Sequence, residues 1–369
     1  MDRKIDISEA YETATQNDAD TGSQLMPLYP LTFQTIYLPK VWGGSHFASI
    51  LGRDLPISEP IGEAWELADL DETSTSGAGG GEARSIVANG PLQGRPLHDL
   101  MTEYQEELMG ALQPDEANRF PILLKYLDAR KNLSVQVHPS KDYADKHEDA
   151  YLKSEAWYVV HAEPDAVIYK GMKPGVTEEM FRKAIQDKTV DELLIKIPVK
   201  AGDCHYLPTG RCHALGEGIV MAEVQTPSDT TFRVYDWERT NRELHIEQAM
   251  QCLTFKPTIT NQYQPNTVIE REHTKVESLV ECEYFVLKRY TIAAGYQQQI
   301  NPAPGPRVRM ILEGTGQIQC QNAGHDQTPY TPFQTILLPA LMDQAKTIVE
   351  TDSVWLEISF PQTMADLIA

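Results

Sequence analysis

Between Leu133 and His138 the chain alternates strictly, with Leu133, Val135 and Val137 apolar and Ser134, Gln136 and His138 polar. In a strand, the period of two puts the three polar side chains on one face. Such a strand fits either a covered barrel wall with a polar lumen or an edge partly open to water. Short β runs of this kind extend from Phe120 to Tyr235 with one interruption, Thr177 to Lys196. There Thr177 offers an N-cap, acids fill the first turn, and Phe181, Ile185 and Leu193 keep a helical register. Upstream, residues 31–60 predict short strands and turns, and residues 96–117 a helix with Leu100, Tyr104, Leu108 and Leu112 on one face. Residues 243–254 predict a further helix. Beyond Pro257 strands return at 284–290, 307–312, 315–320, 335–339 and 354–360, a spacing that predicts a second small barrel or sandwich. No regular helix–strand alternation appears, which disfavours Rossmann and TIM architectures. The Gly/Ser-rich stretch Ser74 to Gly81 lacks phosphate-loop spacing and predicts a flexible surface loop.

With 369 residues, the chain has room for two or three cored domains. The pattern divides it into a polar, loose arm (1–30), a first domain (31–257) and a second β domain (258–369). A hydrophobic share of 41% and no run near about 18 apolar residues exclude an ordinary helical membrane protein. The N-terminus has no apolar core of a secretory signal, and five cysteines without a CxxC pair fit a reducing, cytoplasmic setting. A net charge of −21 argues against nucleic acid and anionic membranes as partners, and makes any anionic substrate dependent on a local basic pocket.

Chemistry concentrates in the first domain. Glu155 opens an apolar strand, where a carboxylate is costly unless paired or metal-bound. Pro208 and Gly210 shape a tight turn that delivers His213 into the next strand. Gln136, His138, Glu155 and His213 together supply two imidazoles and two oxygen donors, a set suited to Zn²⁺ and open to Mn²⁺, Fe²⁺ or Co²⁺. In Ile219–Gln225, Glu223 shares a face with Ile219 and Met221, either as a desolvated general acid/base or as the partner of a nearby cation. Arg233 offers a permanent charge for an oxyanion, or a wall salt bridge. His205 reads as a packed or surface histidine.

The segments Lys40–Gly44, Gly62–Trp65, Leu133–Pro139, Lys153–Glu155, the His213 turn and Gln225–Arg233 resemble the type I mannose-6-phosphate isomerases, in their shorter bacterial form, over about 31–253. The resemblance implies a cupin (jelly-roll) β-barrel with inserted and flanking helices, plus a smaller C-terminal cupin-like domain without metal ligands. It implies a metal-dependent aldose–ketose isomerase that interconverts mannose 6-phosphate and fructose 6-phosphate through an enediolate. It places zinc on Gln136, His138, Glu155 and His213, catalysis on Arg233, and Ser134, Lys125 and Lys153 in the substrate pocket. Glu223 is the first choice of base, with Lys125 or a water on the metal as alternatives, and the chain is expected as a monomer or homodimer. Two other classes compete. A cupin oxygenase is disfavoured by Gln136 in place of the usual first histidine. A non-catalytic sugar-binding homologue is disfavoured by the presence of Arg233 beside the whole ligand set.

Overall fold

The computed structural model describes residues 28–361 except 56–58, 75, 79–80, 116, 256–264, 322–324 and 343. Two facing antiparallel sheets carry the polar constellation. The six-stranded sheet is ordered Cys204–Leu207, Glu155–Ala162, Ile219–Gln225, Leu123–Ala129, Ile61–Leu67 and Ile36–Gly44. Its five-stranded partner is ordered Leu194–Pro198, Val167–Met172, His213–Leu215, Val135–Val137 and Phe232–Tyr235. The chain crosses repeatedly between the sheets, as in a cupin jelly roll, and among the described residues no strand is shared between them.

Alternation along the strands sorts every side chain to one of two sides. On Ile219–Gln225, Val220, Ala222 and Val224 point outward into one apolar cluster, while Ile219 and Met221 point inward to another. Glu223 and Gln225 keep the inward register. Val135 and Val137, fully buried, turn outward beneath the helices Glu178–Asp187 and Ile246–Cys252, packed with Phe181, Ala184 and Ala249. The Leu133–His138 segment is therefore a covered wall, not an open edge. Leu133 itself leaves the alternation and packs inward beside Trp42 and Trp157.

The outward face of the six-stranded sheet is covered by the second β unit. This unit pairs a seven-stranded sheet, running from Leu31–Thr32 through Thr335–Leu338 to Asn266–Arg271, with a four-stranded one. Leu124, Tyr126, Ala156, Tyr158 and Ala222 share one core with Leu279, Leu287, Met310 and Trp355. Arg289 Nη1 donates to the Tyr158 hydroxyl at 3.3 Å, and Tyr126 meets Phe333 edge-on. Strand Leu31–Thr32 lies near the N-terminus yet pairs with Thr335–Leu338, so the two units are interlaced.

Several expectations need correction. Residues 96–117 form two short helices, Leu97–Glu103 and Gln105–Met109, broken at Tyr104. The end of the second helix at Gly110 (φ 61°) leaves the carbonyls of Glu107 and Leu108 to the N–H groups of Leu341 and Ala340, while Leu100, Tyr104, Leu108 and Leu112 are buried as the periodicity requires. The helix begun by the Thr177 cap stops at Asp187, because Lys188 takes the left-handed conformation (φ 59°) and Leu194–Pro198 is needed as a strand beside Val167–Met172. Leu28 and Tyr29 are buried, so a loose arm cannot extend to residue 30; residues 1–27 lie outside the described residues. No described helix is long and apolar enough to cross a membrane.

Candidate metal centre and substrate cleft

His138, Glu155 and His213 converge from three strand ends, each 0–1% exposed. His138 Nδ1 donates to the Thr230 carbonyl at 2.9 Å and His213 Nδ1 to the Arg211 carbonyl at 2.8 Å. A carbonyl only accepts, so both protons sit on Nδ1 and both Nε2 atoms present lone pairs. Those lone pairs face Glu155, with Nε2 of His138 3.5 Å from Oε2 and Nε2 of His213 3.2 Å from Oε1. None of these four buried atoms has a hydrogen-bond partner. Lone pairs converging without a proton between them are unfavourable unless a cation sits among them. The spans are about what ligands 2.0–2.1 Å from one ion keep at a tetrahedral angle. The donor set thus fits a divalent metal. Burial and the nearby Lys153 push His138 down to about 3, keeping it neutral. Burial alone would raise Glu155, but Lys153, 3.0 Å from Oε2, and the imidazoles hold it well below the carboxylate range.

Gln136 sits across from His213 on one side and from Arg233 on the other, on the inward face two residues before His138. Its Oε1 accepts from Ser134 Oγ at 3.0 Å. Next to this row opens a cleft of about 600 Å³ including its open mouth. Its walls include Lys40, Glu63, Trp65, Lys125, Lys153, Trp157, Glu223, Arg233 and Arg242, and no described residue beyond Arg242. The C-terminal unit backs the metal-bearing sheet rather than walling the cleft.

Charges in the cleft alternate. Lys125 Nζ is 3.4 Å from Glu223 Oε1 and 3.7 Å from Glu63 Oε2, over the Trp65 ring. Glu223 also accepts from Trp157 Nε1 at 3.0 Å. Burial, reinforced by Glu155, raises Glu223 above its ordinary value despite Lys153 and Lys125. Burial would likewise raise Glu63, but Lys40 and Lys125 draw it down to about 2. Among the described residues Arg233 has no carboxylate partner: Nη1 donates to the Glu243 carbonyl at 2.8 Å, Nη2 to the Ser76 carbonyl at 3.4 Å, and Nε is unpartnered. Burial and the neighbouring Arg242 push it down to about 10. Tyr235, two residues on, is turned outward by a bulge.

The structure thus brings Ser134, Gln136, Lys125, Lys153, Glu223 and Arg233 together around the three converging ligands. The Ser74–Gly81 stretch is corrected: its described residues are pinned to the cleft. Ser74 N and Ala78 N donate to the two carboxylate oxygens of Asp229 at 2.7 Å each, and Thr231 N donates to Ser76 Oγ at 3.2 Å. A Cβ on Gly77 would lie 2.3 Å from the Asp229 carbonyl, so only glycine fits there. Sequence reasoning missed Glu63, Trp157 and Asp229 as site residues. Glu63 and Trp65 alternate on one face opposite Lys125, a readable signal, whereas the contact made by Asp229 spans more than 150 residues and leaves none.

Residues 31–168 match the family model of the type I phosphomannose isomerase catalytic domain. A mannose-6-phosphate isomerase of Streptococcus mutans is 39% identical over 316 residues, covering 84% of this chain and 92% of the relative. The crystal structure of mannose 6-phosphate isomerase from Bacillus subtilis superposes with a TM-score of 0.77 at 28% identity, covering 90% of this chain and all of that one. A more distant mannose 6-phosphate isomerase, bound with zinc and yttrium, shares the fold at a TM-score of 0.65 and 14% identity, over 90% of this chain and all of that one.

Proposed function

This chain belongs to the type I mannose-6-phosphate isomerases, and on that premise we propose how its cleft interconverts mannose 6-phosphate and fructose 6-phosphate. The reading is carried by the convergence of the His138 and His213 Nε2 lone pairs on Glu155, beside a cleft in which Arg233 makes no ion pair among the described residues. His138, Glu155 and His213, with the Gln136 amide oxygen, would hold a divalent ion, zinc on this donor set, which would supply Lewis-acid polarisation of the substrate oxygens.

The remaining roles fall to the chain's own side chains. In the aldose-to-ketose direction the C2–H bond breaks and a C1–H bond forms, while the hydroxyl proton of O2 passes to O1. Glu223, raised toward neutrality by burial and aimed by Trp157 and Lys125, takes the carbon-bound proton and returns it. Lys125 stands next to Glu223 and handles the proton moving between the oxygens. Lys153 keeps Glu155 ionised and adds positive potential. Arg233, with Nε free and its other nitrogens bound only to carbonyls, stabilises the negative charge of the enediolate. Ser134 fixes the Gln136 amide so that its oxygen faces the lumen. The test is formation of fructose 6-phosphate from mannose 6-phosphate with and without a chelator. Activity abolished by chelation and restored by Zn²⁺ under anaerobic conditions is expected; oxygen uptake matching substrate loss would overturn the isomerase chemistry.

A further inference from the structure

The cleft uses one half of the lumen. In the five-stranded sheet, inward residues form a row across neighbouring strands: Lys170, His213, Gln136, Arg233. In the facing sheet the row reads His205, Trp157, Glu223, Lys125. Lys170 and His205 therefore lie beyond His213 and Trp157, on the side away from Arg233. Arg211 joins them from the turn that delivers His213, where Gly171 N, next to Lys170, donates to the carbonyl of Cys212, next to Arg211, at 2.8 Å.

Most other buried cations among the described residues face a carboxylate. Lys125 has Glu63 and Glu223, Lys153 has Glu155, Arg53 has Glu66, and Arg309 has Glu357. Lys170 is 5% exposed, and among the described residues neither it nor Arg211 makes an ion pair within 4 Å. His205 is 1% exposed with both ring nitrogens unpartnered, and Nε and Nη1 of Arg211 are buried and unpartnered as well. Buried donors without partners need a ligand or ordered water. The His205 and Arg211 atoms are such groups, and Lys170 adds a second cation beside them, in a protein that is otherwise strongly acidic. Among the described residues of this sandwich, the other buried cation without an ion pair, Arg233, lines the substrate cleft.

We infer that Lys170, His205 and Arg211 form a second anion site, behind the metal centre, for a dianionic phosphoryl group. The two charges match a phosphoryl dianion better than a halide, and the imidazole adds a neutral donor. A bound anion there would brace the turn whose Arg211 carbonyl orients His213. Free phosphate and a second sugar phosphate carry the same group, so the experiment has two arms. Zinc-loaded wild type, Lys170→Met and Arg211→Gln are titrated calorimetrically with inorganic phosphate and, separately, with mannose 6-phosphate; KM for mannose 6-phosphate is measured on each. Wild type should take up one more equivalent of inorganic phosphate than either variant, or bind it at least tenfold more tightly, with KM changed less than twofold. If mannose 6-phosphate shows the same extra equivalent, a sugar phosphate also enters the site; if it does not, the ligand is the free anion. Equal phosphate stoichiometry and affinity in all three proteins would overturn the site. A tenfold rise in KM accompanying the loss would merge it with the cleft and overturn its separateness. Arg211 is half-buried, so Arg211→Gln decides alone should Lys170→Met not fold.

Discussion

Glu155, without exposure between two imidazoles and a lysine, makes each of its neighbours hard to remove. Deleting Lys153 or Glu155 leaves buried charge without compensation, whereas deleting a neutral imidazole removes a metal donor. His138→Ala and His213→Ala should each lower bound metal more than tenfold and abolish turnover, with the circular dichroism of the sheets retained. Elemental analysis that finds full metal in both variants removes them from the ligand set. Arg233→Ala should lower kcat and kcat/KM together by about 10²–10³, leaving KM and zinc content nearly unchanged, and Arg233→Lys should recover only part. Wild-type kinetics in both would reduce Arg233 to a wall residue. Glu223 must be ionised to accept a proton, and its raised pKa moves the acidic limb of the rate profile upward. Activity should therefore fall as pH drops through that value, and Glu223→Gln should abolish most of kcat along with the limb. His138 and Glu223 were legible because they obey strand alternation, Glu155 because it opens an apolar strand, and His213 because it follows a Pro–Gly turn. Lys170 and His205 were not, because their meaning depends on which strands become neighbours.

Element by element, what the sequence hid is mostly long-range. The Thr177 cap is local chemistry and forms as read, its Oγ1 accepting from Met180 N at 3.2 Å. The helix end was misplaced because tertiary demand for a strand at Leu194 outweighs residual helical period. Asn266–Arg271, exposed throughout, and the glutamine-rich Gln297–Ile300 carry no apolar alternation to detect. The Ser74 loop looked free because its anchor lies beyond residue 228. Asp229→Ala would strand two backbone N–H groups, at about 1–3 kcal/mol each. The expected result is faster subtilisin cleavage between residues 74 and 81 and a lowered kcat, since the loop holds Arg233 through the Ser76 carbonyl. Unchanged cleavage would mean that the loop is held by other contacts.

Across the whole molecule, two sandwiches share one core: Tyr126, Tyr158 and Ala156 of the metal-bearing sheet pack with Leu279, Leu287 and Trp355. Strand Leu31–Thr32 and the 97–109 helices tie them further. Neither half can open without exposing the other's interior, so calorimetry should give a single transition despite the two-part β pattern in the sequence. Two resolved peaks would show that the halves unfold independently. The shared core also makes the distal strands witnesses to the centre. An ion bound only by the folded state stabilises it by about 2.7 kcal/mol at a hundredfold excess over Kd. The amides of Val286–Ile292 and Ser353–Ser359, which touch no ligand, exchange with solvent only when the common core opens. Their deuterium uptake should slow about a hundredfold on metal loading, so that occupancy of His138, Glu155 and His213 is recorded in the exchange rates of the opposite sandwich.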